Sequence, residues 1–89
     1  MNTTQLKQEI ENAKYFGILD YEDNVFVSQD VNNVLQESMF ANNAEELLEI
    51  NFSEDKGCYI IDDYVFTTGK TKSEVVKKLK NMIANIQEV

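Results

Sequence analysis

The spacing of the apolar residues changes twice along this chain, and that change limits the folds that the chain can adopt. Leu6 and Ile10 begin a helical period near the start, and a longer helical stripe begins at Val75. Between them, residues 25–27 and 58–61 are short apolar runs bounded by turn residues, which is typical of strands. Helices at both ends and strands in the middle predict an α+β fold.

Capping residues set the predicted helix boundaries. The first helix is predicted over residues 3–15, with Gly17 as its end. Asp30 is the predicted cap of a middle helix whose apolar face holds Val31, Val34, Leu35 and Met39. Thr71 and Glu74 form a capping box ahead of the last helix. The apolar stripe of that helix comprises Val75, Val76, Leu79, Met82, Ile83 and Ile86.

Two runs in the first half of the chain predict a hairpin. Residues 18–19 and 25–27 are the apolar runs, and the acidic, turn-rich segment 20–24 separates them. The second run is the stronger strand signal because it combines two Val residues with Phe26.

Further strands are predicted between the middle and last helices. Residues 48–52 alternate apolar and polar, and residues 44–48 are either one more helical turn or the approach to that strand. A loop is predicted at 53–57. The runs 58–61 and 64–68 are then predicted strands, and Asp62-Asp63 either turns the chain between them or lies within one long strand.

These elements predict one α+β domain over residues 1–89. The predicted domain has N-terminal, middle and C-terminal helices and a small antiparallel sheet of three or four strands, with the last helix on one sheet face. With 43% apolar residues, 89 residues suffice for a single core. A winged-helix arrangement is the structural alternative, but its usual DNA-binding role fits poorly with a net charge of −8.

The distribution of charge predicts the sign of any partner. The 41 residues between Lys14 and Lys56 contain ten Asp and Glu residues and no basic residue. Residues 20–63 carry a net charge of −11, whereas residues 64–89 carry +3. Such a field repels phosphate backbones and attracts basic surfaces, so the sequence predicts a basic protein partner and no direct binding to nucleic acid.

The missing residue types exclude most familiar active sites. The chain has no His and no Arg, which excludes an imidazole base, a His-ligated metal and a guanidinium fork. Its single cysteine, Cys58, excludes an internal disulfide and is predicted to be a buried structural thiol. We therefore expect no enzymatic activity, no cofactor and no metal.

Three motifs that resemble chemical sites fail on their spacing. Residues 64–71 resemble a phosphate-binding loop, but Tyr64 occupies the position that requires Gly. Residues 20–24 alternate oxygen ligands as an EF-hand does, yet Val25 and Val31 stand where Gly and Glu are needed. Asp62 and Asp63 would point to opposite faces of a strand and could share a metal only if they lie in a turn.

The acidic segment is the predicted binding surface. Tyr21 lies among acidic residues and is the predicted aromatic anchor, because aromatic side chains contribute strongly to binding. The alternative is a solvated acidic face that only keeps the domain soluble. The predicted partner-binding set is Asp20, Tyr21, Glu22, Asp23, Glu45, Glu46, Glu49, Glu54 and Asp55.

Two segments resemble known families. Met1-Asn2, Leu6, Glu9-Ile10, Asn12 and Tyr15 resemble the start of small acidic anti-CRISPR proteins that inhibit type II effector nucleases. That resemblance covers about the first 15 residues, and it implies an α+β fold and an acidic decoy for a DNA-binding groove. Gly69-Lys-Thr-Lys-Ser-Glu74 is similar to HicB-type antitoxins.

The sequence as a whole predicts a non-enzymatic acidic inhibitor that mimics phosphate charge on a basic, nucleic-acid-handling protein. A general binding module that uses apolar surface is the alternative: an antitoxin, an immunity-type protein or an oligomeric phage accessory protein. The polar start of the chain contains no signal-peptide pattern, and no apolar run approaches the roughly 18 residues that a membrane span requires. We therefore expect a cytoplasmic protein, in the producing or a host cell, without a membrane partner.

Overall fold

The computed structural model describes residues 3–38, 41–61 and 63–87 as an antiparallel sheet with helices on both faces. The predicted Met39, Asp62 and the side chain of Ile86 lie outside the described part. The elements in chain order are α1 (Thr3–Asn12), β1 (Tyr15–Leu19), β2 (Val25–Ser28), α2 (Val31–Leu35), α3 (Ala44–Leu47), β3 (Ser53–Asp55), β4 (Cys58–Ile61), β5 (Tyr64–Gly69) and α4 (Lys72–Gln87).

The sheet confirms the predicted α+β class and has five strands where three or four were predicted. The strand order is β2-β1-β5-β4-β3, and every pair is antiparallel. The hairpin β1–β2 and the meander β3–β4–β5 meet where β1 pairs with β5. Between them, α2 and α3 carry the chain from one edge of the sheet to the other. This topology replaces the winged-helix alternative.

Alternate residues of each strand supply two separate cores. Phe16, Ile18 and Phe66 pack on the face that α1, α2 and α3 cover, together with Leu6 and Leu47. The other face carries Leu19, Cys58 and Val65, against which α4 packs Val75, Leu79 and Met82. Because β5 is covered on both faces, all six of its residues are buried.

The start of β1 corrects the predicted end of the first helix. Helix α1 ends at Asn12, and the amide of Lys14 already donates to the carbonyl of Gly69 (3.0 Å). Tyr15 then pairs with Gly69 in the sheet. The apolar residues keep a helical spacing up to residue 15. The backbone, however, leaves the helix after Asn12 because it forms hydrogen bonds with β5.

Gly17 lies within β1, so its prediction as a helix stop is wrong. A Cβ atom at this position would lie 2.3 Å from Cγ1 of Val75 and 3.0 Å from Cδ1 of Leu79. The residue at this position must lack a side chain because α4 lies so close to β1 here. A glycine within a strand often marks such a close approach.

The segment between α2 and β4 corrects a second prediction. Asn43 caps α3, and its side chain accepts a hydrogen bond from the amide of Glu46 (2.9 Å). Residues 48–52 leave this helix as turn and extended chain, and the strand lies at Ser53–Asp55, where a loop was predicted. The Lys56-Gly57 turn, with φ of 53° and 80°, closes the β3–β4 hairpin.

The other predicted caps are confirmed. The Asp30 carboxylate accepts from the amide of Asn32 (2.9 Å) at the start of α2. At the start of α4, the Thr71 hydroxyl accepts from the amide of Glu74 (3.1 Å). The Glu74 carboxylate in turn accepts from the amide of Lys70 (3.2 Å). Helix α4 then places Val75, Leu79, Met82 and Ile83 on one sheet face, as predicted.

Candidate partner-binding surface at the acidic end of the sheet

The turn between β1 and β2 is held in shape by its own acidic residues. The amide of Asp23 donates to the carbonyl of Asp20, and the amide of Asp20 donates to the carbonyl of Asn24, both at 3.0 Å. Asp23 has a φ of 66°, in the left-handed region that Asp tolerates better than most residues. This is the three-residue hairpin loop in which a left-handed residue completes a tight turn.

The Asp20 carboxylate organises this turn from within. It accepts hydrogen bonds from the amides of Glu22 (2.9 Å) and Asn24 (2.8 Å), and from the side-chain amide of Asn24 (3.1 Å). Desolvation acts to raise the pKa of Asp20, but these hydrogen bonds outweigh it, and the pKa lies below the ordinary value of 3.8. Asp20 is thus an ionised structural residue whose oxygens are already used by the turn.

Tyr21 projects from the tip of the turn into solvent. It is 62% exposed, unlike the other large apolar residues whose burial the structure describes. Its ring meets the buried Tyr64 ring edge to face, with centroids 6.2 Å apart. The negative charge of Glu22, and a hydrogen bond that the phenol donates to it, raise the pKa of Tyr21. The predicted anchor is therefore an exposed aromatic ring that packs against Tyr64.

A second acidic turn lies at the same end of the sheet. Strand β5 starts at Tyr64, and its next residue pairs with Leu19, the last residue of β1. The exposed Asp63 therefore lies beside the β1–β2 turn. We call this surface the acidic end; its described members are Asp20, Tyr21, Glu22, Asp23 and Asp63. Asp63 is absent from the predicted set because only the sheet topology brings the two turns together.

The opposite end of the sheet carries basic residues beside acidic ones. Lys14 precedes β1, Lys56 lies in the β3–β4 turn and Lys70 follows β5, and all three are exposed. In an antiparallel sheet these positions share the end away from the β1–β2 turn. The exposed Asp30, after β2, and Asp55, at the end of β3, lie at this end as well, so its charge is mixed, whereas the charged residues of the acidic end are all acidic.

Two of the predicted residues lie far from the acidic end. Glu54 and Asp55 are exposed on β3, at the other edge of the sheet. Three strand spacings and three residues of rise put Asp55 roughly 18 Å from Asp20. Charges separated by more than the screening length of about 8 Å at physiological salt act almost independently. The expected single patch of nine residues is therefore divided by the sheet.

The remaining predicted residues belong to α3 and the segment after it. Glu45 is exposed in the first turn of α3, and Glu49 is exposed after its end. Glu46 is half-buried, and its carboxylate accepts from the amide of Asn42 (3.0 Å), which completes the cap. Partner contact by these residues stays a prediction, although Glu46, like Asp20, already has an internal role.

The motifs rejected on spacing have structural roles. The oxygens of Asp20 that would face a calcium ion are bound to the turn's own amides. Cys58 is buried, donates weakly to the carbonyl of Lys78 (3.8 Å), and has a pKa raised by desolvation. Within residues 3–38, 41–61 and 63–87, no group of three or more Cys, Asp or Glu residues is placed to hold a metal ion.

Comparisons with known proteins give no further identification. No family model, no curated protein and no solved structure matches this chain. Across the described ranges, no helix has both the length and the apolar character needed to cross a membrane. The residues of the acidic end therefore carry the argument for function.

Proposed function

We propose that this protein is a non-enzymatic inhibitor that binds a basic, nucleic-acid-handling protein, with carboxylates taking the place of phosphates. The observation that supports this most is that the β1–β5 pairing brings Glu22, Asp23 and Asp63 together on two neighbouring turns at one end of the sheet. The resemblance of the first residues to anti-CRISPR proteins makes a type II CRISPR effector nuclease the first partner to test.

The acidic end combines charge with an aromatic anchor. Glu22 and Asp23 flank the exposed Tyr21, and Asp63 lies on the neighbouring turn. Carboxylates attract a basic groove over a distance and raise the association rate, whereas a buried aromatic ring supplies contact energy. In this proposal Glu22, Asp23 and Asp63 make the main charge contacts with the partner. Tyr21 is the anchor, and Asp20 shapes the turn.

A charge-matched pair of variants tests the proposal. Glu22→Lys with Asp23→Lys reverses two charges at the acidic end, and Glu11→Lys with Glu54→Lys reverses two exposed charges elsewhere. Both pairs change the net charge from −8 to −4. The tagged proteins are used to capture partners from extracts of the producing and host cells at about 50 mM and about 500 mM salt.

We expect the wild-type protein and the Glu11/Glu54 variant to retain a nucleic-acid-binding protein at low salt. The Glu22/Asp23 variant is expected to lose it, because its local field is reversed while its net charge equals that of the control. Equal retention by both variants would remove the acidic end from the account. Retention that does not change with salt would remove charge mimicry itself.

A binding module that uses apolar surface is the second candidate, and the open edge of β2 favours it. All four residues of β2 are half-exposed, although three of them are apolar. Sedimentation separates the candidates, since a stable homo-oligomer with salt-independent partner binding supports the second one.

A further inference from the structure

The outer side of β2 is an unpaired strand edge. In the order β2-β1-β5-β4-β3, β2 has β1 on one side and no strand on the other within the described chain. The hydrogen bond from Asp20 to Asn24 fixes which residues face β1, because antiparallel pairs alternate. Phe26 and Ser28 turn their backbone groups to β1, and Val25 and Val27 turn theirs outward.

This edge lies at the bottom of a groove. The groove has a volume of about 660 Å³, with β2 as its floor. Asn33 of α2 and Glu37, which follows that helix, form one wall, and Lys72 and Val76 of α4 form the other. Since α2 and α4 cover opposite faces of the sheet, a strand added to β2 would place alternate side chains against each wall.

The two edges of the sheet are treated differently by the sequence. The edge strand β3 has three residues, of which Glu54 and Asp55 are charged, and such residues discourage pairing with other chains. The edge strand β2 reads Val-Phe-Val-Ser, with no charge and no proline. Soluble proteins normally block an exposed edge of this composition, so an open one indicates a partner strand.

Charge around the groove selects the occupant. Acidic residues stand at both ends of the β2 strand, namely Glu22 and Asp23 before it and Asp30 after it. Glu37 adds a negative charge on one wall and Lys72 a positive charge on the other, with Lys77 and Lys80 further out on the same helix. A second copy of this chain would bring another charge of −8, which opposes self-pairing.

We propose that β2 binds an extended, basic segment of the partner protein as a sixth strand. Val25 and Val27 supply the backbone hydrogen bonds, α2 and α4 receive alternate apolar side chains, and the acidic end binds flanking lysine or arginine residues. This inference rests on the proposed function, because it takes the partner to be basic. It adds a backbone recognition mode that charge mimicry alone does not require.

A model strand tests the edge directly. The probe is the peptide Ac-Lys-Val-Thr-Val-Thr-Val-Lys-NH2. Its control has the same charge and carries N-methyl groups on one valine amide and one threonine amide, so that both edges of the peptide lose a donor. Amide hydrogen exchange of labelled protein is followed by NMR. We expect fast exchange at Val25 and Val27 in the free protein and strong protection of both on adding the probe. The N-methylated peptide should bind about tenfold more weakly or worse.

Two variants of Val27 repeat the test from the protein side. Val27→Pro removes an outward amide at a position where an edge strand tolerates proline. Val27→Thr is the matched control, since it retains the amide and the β-branched shape. We expect Val27→Pro to bind the probe about tenfold more weakly than Val27→Thr. The methylated peptide supplies an independent readout on the wild-type protein if Val27→Pro does not fold.

The outcomes separate this inference from the proposed function. If N-methylation does not weaken binding of the peptide, or if the Val25 and Val27 amides stay unprotected, strand pairing at β2 is contradicted. The proposed role of the acidic end is not affected by either result. Absence of probe binding, or a homodimer that protects the same amides, also overturns the inference about β2. Edge binding that is unaffected by salt and by Glu22→Lys with Asp23→Lys supports the edge and contradicts the charge-mimic function.

Discussion

Replacing Gly17 with Ala probes the closest approach between the sheet and α4. The added methyl group would lie 2.3 Å from Cγ1 of Val75, whereas packed carbon atoms lie about 3.5–4.0 Å apart. Val75 would therefore have to retreat by roughly 1.5 Å, and it is fully buried against the sheet. Rotating the Val75 side chain would not be enough to make room for the methyl group, because Cδ1 of Leu79 would lie only 3.0 Å from it.

The expected cost follows from two opposing terms. Overpacking of a filled core costs about 1–3 kcal/mol. Loss of glycine's freedom in the unfolded chain returns about 0.5–1 kcal/mol. We expect a net destabilisation of about 1–2 kcal/mol, which corresponds to a fall of roughly 4–16 °C in Tm for a domain of this size.

Urea unfolding followed by circular dichroism measures the effect, and a second substitution supplies its control. Gly17→Ala should lower the midpoint with an unchanged m value. Val75→Ala removes the methyl group that the new Cβ would meet, so Gly17→Ala should cost much less in that background. A coupling of about 1 kcal/mol or more is expected. Equal losses in both backgrounds, or a stabilised Gly17→Ala protein, would refute the packing argument.

Three further predictions concern residues with internal roles. Asp20→Ala should lower the free energy of unfolding by about 1–2 kcal/mol at pH 7. Because folding lowers the pKa of Asp20, this loss should be present above the unfolded pKa of 3.8 and should shrink as the pH falls through the folded pKa. Urea unfolding of both proteins at neutral and acid pH measures it. Thr71→Ala should cost about 1 kcal/mol through loss of the α4 cap, whereas Thr71→Ser should cost much less in the same titration. Cys58 should react with a thiol reagent only as fast as the protein opens, and rapid reaction of native protein would contradict its burial and its raised pKa.

Local signals in the sequence predicted the starts of the middle and last helices and the first hairpin. Asp30, Thr71 and Glu74 are capping residues whose hydrogen bonds lie within a few positions, so their roles depend on little else. The hairpin at 20–24 was predictable for the same reason. Residues 48–52 alternate like a strand, yet the cap at Asn43 and the turn at Lys56-Gly57 shift the actual strand to Ser53–Asp55.

The parts that the sequence did not predict depend on contacts between distant segments. In the sequence alone Gly17 resembles the end of a helix. The glycine is explained only by the close crossing of α4 over β1 in the fold. Asp63 joins the acidic end because β5 pairs with β1, across more than forty residues of chain. The β3–β4 and β4–β5 pairings place Asp55 far from that end. Net charge along the sequence therefore predicted an acidic surface but not which residues the fold brings together on it.

Competition with DNA tests the central claim most directly. The partner captured by the wild-type protein is bound to a labelled DNA duplex, and fluorescence anisotropy follows release of the duplex as the protein is added. The account predicts complete release by the wild-type protein and by the Glu11→Lys/Glu54→Lys variant, and little release by the Glu22→Lys/Asp23→Lys variant. Simultaneous binding of DNA and this protein to the partner would contradict the claim that carboxylates at the acidic end take the place of phosphates.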